Sequence, residues 1–277
     1  MADLHTYISS FLTTDILYGL AFSDDGSKFY AGKYSGGVYL LKEYGMAVPW
    51  DITTASYTGN SFNTGVYGFR DAFISTLGAR TYILEGTSHT IREYSGVFPS
   101  LSLAHSKNFQ AQVGNNFLSG MWLSEDGIDL FLTNVVGNLY HFVLSAAYDI
   151  STAVIVNSLS MGLTVSTYDG NPWVSSTGKK IMYAEDSTVS NYIKIHSLFL
   201  DESFDLLSVT SHEINSTYVP PAGGASLVVF GCFGNSDEDI FYINSILPDS
   251  APAISSYTSL SIITFWTNFS GQTEITA

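Results

Sequence analysis

The residue types able to do chemistry are few and scattered. Twenty-five acidic residues, six histidines and one cysteine stand among 277 residues. The acids cluster as Asp24-Asp25, Glu125-Asp126, Asp201-Glu202 and Asp237-Glu238-Asp239. Such clusters suit a divalent cation when oxygen ligands converge at regular spacing. Asp237 and Asp239, in a stretch rich in Asn, Ser and Gly, are the best calcium candidates, yet they lack an EF-hand pattern. Turn chemistry and solubility are therefore the preferred reading, and no metal is assigned. The histidines are His5, His89, His105, His141, His196 and His212; none has a histidine two or four positions away, as a zinc site would favour. His141 and His196 both fall in third strands of repeat units, at positions read as non-equivalent. Cys232 sits in the apolar run VVFGCF and reads as a small buried hydrophobe. A single cysteine also excludes an internal disulfide framework and a cysteine-built zinc site.

Any site must be positioned by the elements around it, and these read as strands. Hydrophobic residues make up 45% of the chain and charged residues only 13%, so the chain can bury a full core and is not a disordered polyelectrolyte. Eighteen Tyr, eighteen Phe and many Ser, Thr, Asn and Gly favour strands and turns over helices. The net charge of −15 with ten basic residues argues against a phosphate-backbone binder and against a polybasic membrane contact. The first residues lack the basic and apolar regions of a secretory leader, and no run of about 18 apolar residues is present to span a membrane.

Internal repetition is the strongest signal. YGLAFSDDGSKFYAGKY (18–34) and SGMWLSEDGIDLFLTN (119–134) share an apolar strand, a Ser-acid-Asp-Gly turn and an aromatic-rich strand. Gly26 and Gly127 in those turns stand 101 residues apart. WDITTASY (50–57) and YDISTAVI (148–155) recur with Asp51 and Asp149 98 residues apart. Gly78 and Gly178 supply intermediate copies, and Gly224 and Gly271 weaker ones, which makes the unit about 50 residues. Each unit carries a third strand, such as 37–44, 90–96, 138–145, 192–199 and 239–246, and a fourth, such as 52–62, 150–159 and 206–214. Four short strands per unit predict a β-propeller as one domain over 1–277. Residues 4–12 read as a fourth strand whose blade begins at the other end of the chain. Closure would then pair N-terminal with C-terminal strands in a composite blade. Five complete repeats plus that blade give six, the favoured count; five blades with a C-terminal extension is the alternative.

Ser23-Asp24-Asp25-Gly26 and Ser124-Glu125-Asp126-Gly127 resemble the turn of Ser-Pro-Asp-Gly and YVTN-type propellers, with an acid in place of Pro. The element from Pro49 to Ala55, repeated from Tyr148 to Ala153, resembles the blade linker of propeller repeats found in bacteriophage virion proteins. That resemblance implies a structural or binding protein of a phage particle: a capsid knob, a decoration, or a tail- or fibre-associated propeller. Its expected partners are other virion proteins and a host-surface glycan or protein, with no nucleic acid, membrane or cofactor. Its expected location is the virion, assembled in the host cytoplasm.

Propeller catalysis would need carboxylates or histidines converging from the innermost strands, here 18–22, 69–73, 119–123, 171–175, 218–222 and 260–265. These offer only Arg70 and Asp71, adjacent and so on opposite faces of one strand. Neither a calcium-lactonase ligand set nor a glycosidase carboxylate pair is legible. No catalytic residue is assigned and the chain is not read as an enzyme; a hydrolase, lactonase or glycan-processing propeller is the alternative, and a bacterial surface scaffold a further one. Trp50, Trp122, Trp173 and Trp266 read mainly as inter-blade packing. Exposed Tyr with Asn and Ser is adhesive chemistry. The loops between second and third strands are therefore the expected binding face, through Tyr34, His89, Asn134, Asn138, Asn235 and Asp237.

Overall fold

A computed structural model describes residues 6–13, 17–75, 79–161, 171–186, 192–218, 228–234, 240–247 and 260–267. The chain is all-β. It forms five four-stranded antiparallel sheets arranged as a propeller. The first sheet comprises β2 (Leu17–Phe22), β3 (Lys28–Ser35), β4 (Val38–Met46) and β5 (Ala55–Asn63). The second comprises β6 (Phe69–Ser75), β7 (Arg80–Glu85), β8 (Thr90–Val97) and β9 (Ser100–Asn108). The third holds β10 (Leu118–Leu123), β11 (Asp129–Asn134), β12 (Asn138–Leu144) and β13 (Ala153–Ser160). The fourth holds β14 (Trp173–Val174), β15 (Lys180–Asp186), β16 (Tyr192–Leu200) and β17 (Val209–Tyr218).

The fifth sheet is composite. β1 (Thr6–Thr13) pairs with β20 (Leu260–Thr267), which pairs with β19 (Ile240–Leu247) and then β18 (Val228–Gly234). The expected closure by N- and C-terminal strands is therefore present. The unit boundaries around it differ from the sequence reading. Residues 239–246, taken as a third strand, form the second; 260–265, taken as the inner strand of a further unit, lie in the third. The innermost strand of this blade is β18; of 218–222, read as an inner strand, Tyr218 ends β17 and the rest lies outside the described residues. The turn motif that marks a hairpin elsewhere is worn away in this part of the sequence, so strand order had no local marker. The described sheets thus number five.

Each blade presents its first strand to the centre, where β2 packs on β6, β6 on β10, and β18 on β2. First-strand side chains are buried on both faces, with Leu17, Leu20, Phe69, Leu118 and Met121 all but inaccessible. Fourth strands alternate or are exposed, as Val154, Ile155 and Val156 on β13 show. Polar and apolar residues therefore sort by distance from the axis. Close approach of inner strands requires residues without side chains. A Cβ on Gly120 would lie 2.1 Å from the Asn171 backbone, and one on Gly19, at φ +62°, would lie 2.8 Å from Asp71.

The recurring motifs have mechanical jobs. Ser23 Oγ donates to Asp25 Oδ1 at 2.7 Å and accepts from Lys28 N at 3.0 Å. Ser124 donates to Asp126 and accepts from Asp129 N at 2.8 Å. In the fourth blade Ser175 Oγ contacts Thr177 Oγ1 at 3.1 Å and accepts from Lys180 N at 3.1 Å. The linker aspartates Asp51, Asp149 and Asp205 each cap a 3-10 turn by accepting the N–H two residues on, at 2.9–3.0 Å. Asp205-Leu206-Leu207-Ser208-Val209 is thus a third copy, more degenerate in sequence than in structure. The aromatic residue before each cap, Trp50, Tyr148 or Phe204, is left-handed (φ 61–64°) and lays its ring on the turn glycine of its own blade, Gly26, Gly127 or Gly178. Each donates its backbone N–H to that glycine's carbonyl at 2.8–2.9 Å. Linker and hairpin are thereby locked together at one end of every blade that carries both.

Candidate functional site at the mouth of the channel

Asp71 sits among the inner strands of the ring. It is fully buried, and its carboxylate accepts backbone N–H groups from Ala72 at 2.9 Å, from Met121 at 2.9 Å and from Leu20. One side chain therefore ties the inner strands of three blades. Burial pushes its carboxyl well above the usual carboxylate range, and the three N–H groups oppose this without offsetting it. Arg70, its neighbour, packs its stem where a side chain on Gly86 would otherwise lie. No second carboxylate comes from the described inner strands.

At the hairpin ends of the inner strands lies a cleft of about 340 Å³. It lies on the face that carries the Ser-acid-Asp-Gly turns and the linkers. Its walls are aromatic: Phe22, Trp50, Phe73, Trp122, Trp173 and Phe204, from all four blades described by side chain. Trp50 stacks on Phe22 at 5.6 Å between ring centres, and Trp122 leans on Phe204 at 6.2 Å. Asp24, Glu125 and Asp126 stand at its rim with Ser124 and Ser176. No Lys, Arg or His is among the described residues that line it.

The acids of the two turns divide by role. Asp25 is held by Ser23, by Ser27 Oγ at 2.8 Å and by Ser27 N at 2.9 Å, and these hydrogen bonds, the backbone one foremost, lower its pKa. Asp126 fills the same position in the third blade. Asp24 and Glu125 precede them. Asp24 is shifted upward, first by partial burial, then by the charge of Glu125 on the facing turn and of Asp25. Two blades thus aim like charges at one opening.

The loops between second and third strands, expected as the binding face, emerge at the other end. Tyr34 is exposed at 54%. His89 is buried and left-handed, its Nε2 3.0 Å from the Asn116 carbonyl oxygen. Asn134 is fully buried; its side-chain oxygen accepts from Val136 N and Asn138 N, and its amide donates to Tyr140 Oη. Both residues shape their loops. Asn138 begins β12 and is half-buried. Asn235, Asp237 and Asp239 lie outside the described residues, as do Gly78, Gly224 and Gly271. The strands that flank 235–239 are first and second of their sheet, not second and third.

Sequence reasoning missed one further series. Opposite the middle-strand aromatics Tyr30, Tyr82, Phe131 and Tyr183 stand Glu43, Glu93, His141 and His196. His141 and His196 are therefore equivalent, contrary to the expectation; hairpin loops of unequal length had displaced them in the linear count. Each is buried and meets a different partner, and His141 keeps a buried Nδ1 without a hydrogen bond. Glu43 accepts from Lys28 and Asn60, Glu93 meets Arg80 at 3.0 Å and His105 at 3.1 Å, His141 meets Asp129 at 2.7 Å, and His196 Nδ1 lies 3.0 Å from His212 Nε2. Glu93, His105 and the linker Asp149 form the one candidate metal-ligand triad among the described residues. The Arg80 contact and a hydrogen bond from Ile150 N to Glu93 account for it as a latch between blades.

No protein-family model matches the chain, and no curated protein matches it significantly. Solved structures share its fold. A putative 6-phosphogluconolactonase from Bacteroides fragilis NCTC 9343 is 10% identical, with TM-score 0.50 over 88% of this chain and 86% of that one. A protein from Lactobacillus plantarum is 12% identical, with TM-score 0.49 over 84% and 67%. Kuenenia stuttgartiensis hydrazine synthase is 16% identical, with TM-score 0.48 over 87% of this chain and 59% of that one. At such identity the likeness carries the fold alone: the chain is a β-propeller of four-stranded blades.

Proposed function

We propose that the protein is a non-catalytic binding propeller that seats a ligand or partner at the mouth of its channel and serves as a structural component of a phage particle. Asp71 is the observation that carries the non-catalytic part. The carboxylate best placed for channel chemistry is buried and engaged by three main-chain N–H groups, so it meets no solvent or substrate. The aromatic cleft offers binding area with acids only at the rim, the makeup of a recognition site. The virion part rests on the resemblance of the linker element at Pro49–Ala55 and Tyr148–Ala153.

Quantitative peptide mass spectrometry of gradient-purified particles tests the reading. A fixed copy ratio to the major capsid protein is expected, and a chain found only free in the lysate would overturn the virion assignment. A hydrolase reading would draw on neighbours such as the putative 6-phosphogluconolactonase, but fold likeness does not transfer activity. Turnover of 6-phosphogluconolactone, lost on Asp24→Asn or Glu125→Gln, would replace the non-catalytic reading.

A further inference from the structure

We infer that the cleft at the channel mouth recognises an organic cation, an alkylammonium group carried by a small molecule or by a lysine side chain. The inference rests on the binding reading above and adds the ligand's chemistry. The first observation is which turn residues the fold needs. The Ser-acid-Asp-Gly turn is built by its first, third and fourth residues: Ser23, Asp25 and Gly26, then Ser124, Asp126 and Gly127. The second position carries no requirement for an acid, because the fourth blade folds the same turn with Ser176 there and keeps the Gly178 N–H to Ser175 carbonyl bond. Asp24 and Glu125 are thus acids the turn does not call for, and both line the cleft.

The second observation is their mutual placement. Two carboxylates from different blades line one cleft, and after partial burial the charge of Glu125 is the next cause that raises the Asp24 pKa. Among the described residues that line the cleft none is Lys, Arg or His. Asp24 and Glu125 are both exposed at this concave mouth, and like charges gathered there create a potential that a cation relieves and an anion aggravates. The third observation is the wall. Trp50, Trp122 and Trp173 line the same space, and indole is the best aromatic partner for an ammonium group. A volume of about 340 Å³ admits a choline- or lysine-sized group.

The test is tryptophan fluorescence and calorimetric titration of the full chain. Four probes would be used: choline, Nα-acetyl-lysine N-methylamide, the neutral choline isostere 3,3-dimethylbutan-1-ol, and methyl glucoside. Either cation should bind, weaken with added salt, and lose about fivefold in affinity on Asp24→Asn or Glu125→Gln. Choline alone would identify a free small amine, and the lysine derivative alone a peptide. The neutral isostere binding as well as choline, or methyl glucoside binding while both cations fail, would overturn the cation and keep the cleft as a recognition site. No binding by any probe to wild type, with the Trp122→Phe signal also unchanged, would overturn both.

Discussion

A buried carboxylate that holds three inner strands makes Asp71 the residue on which the centre of the ring depends. Asp71→Asn keeps the shape but puts an amide donor where a main-chain N–H must be accepted. One of the N–H groups of Leu20, Ala72 or Met121 then loses its partner, at a cost of about 1–3 kcal/mol in chemical denaturation. The loss should depend on pH. Burial raises the carboxyl's pKa in the folded protein above its unfolded value, so the native state binds the proton more tightly. The stability this group contributes therefore rises as pH falls from neutrality through the raised pKa, and levels off below about pH 4. The asparagine variant does not titrate there. Denaturant midpoints for wild type and variant should diverge further at pH 5 than at pH 7. An equal gap at both would mean that Asp71 does not titrate in that window.

Hairpin and linker form one element, joined where an aromatic ring covers a glycine. Gly127 is at φ +73°, and a Cβ there would lie 2.5 Å from the Tyr148 ring. Gly127→Ala should cost about 2–4 kcal/mol, from the left-handed backbone and the displaced ring together. Gly37→Ala is the comparison: φ is +90° but its Cβ meets nothing within 4 Å, so only the backbone part should appear. Equal losses in thermal melts would remove the ring contact from the account. These elements were largely legible in the sequence because their physics is local. An Asp caps the second N–H after it, and a Gly accepts the left-handed turn, wherever the pattern stands. The third linker escaped because Leu206 stands for the Ile, Leu207 for the Thr or Ser after it, and Ser208-Val209 for Thr-Ala. The pairs His196–His212 and Glu93–His105 escaped because they are made across strands whose register no single strand encodes. The cleft was not legible: taken alone its acids read as turn chemistry, and the loops at the opposite end read as the binding face. Only the ring brings Asp24 and Glu125 to one cleft.

At the scale of the whole molecule, the ring has one join that no hairpin enforces. Four sheets are built from consecutive strands, whereas the fifth takes β1 from one end of the chain and β18 to β20 from the other. Seven residues of β1 pair with β20 from Thr6–Thr267 to Thr13–Ser261, which covers an edge that would otherwise be open. The first blade also leans on this strand, since the 3-10 turn at Ile52–Thr54 packs against β1 as its counterparts at Ile150–Thr152 and Leu206–Ser208 pack against β9 and β13. Removing residues 1–13 should therefore cost more than one strand. It should uncover β20 and leave the first linker unsupported. The truncated chain is expected to melt at lower temperature with reduced cooperativity, and to form higher oligomers in size-exclusion chromatography through the exposed edge. Supplying residues 1–13 as a peptide should reverse both changes, because the ladder needs the strand and not its covalent link. A truncated protein that stays monomeric with an unchanged melting temperature would mean that β1 is not what closes the ring.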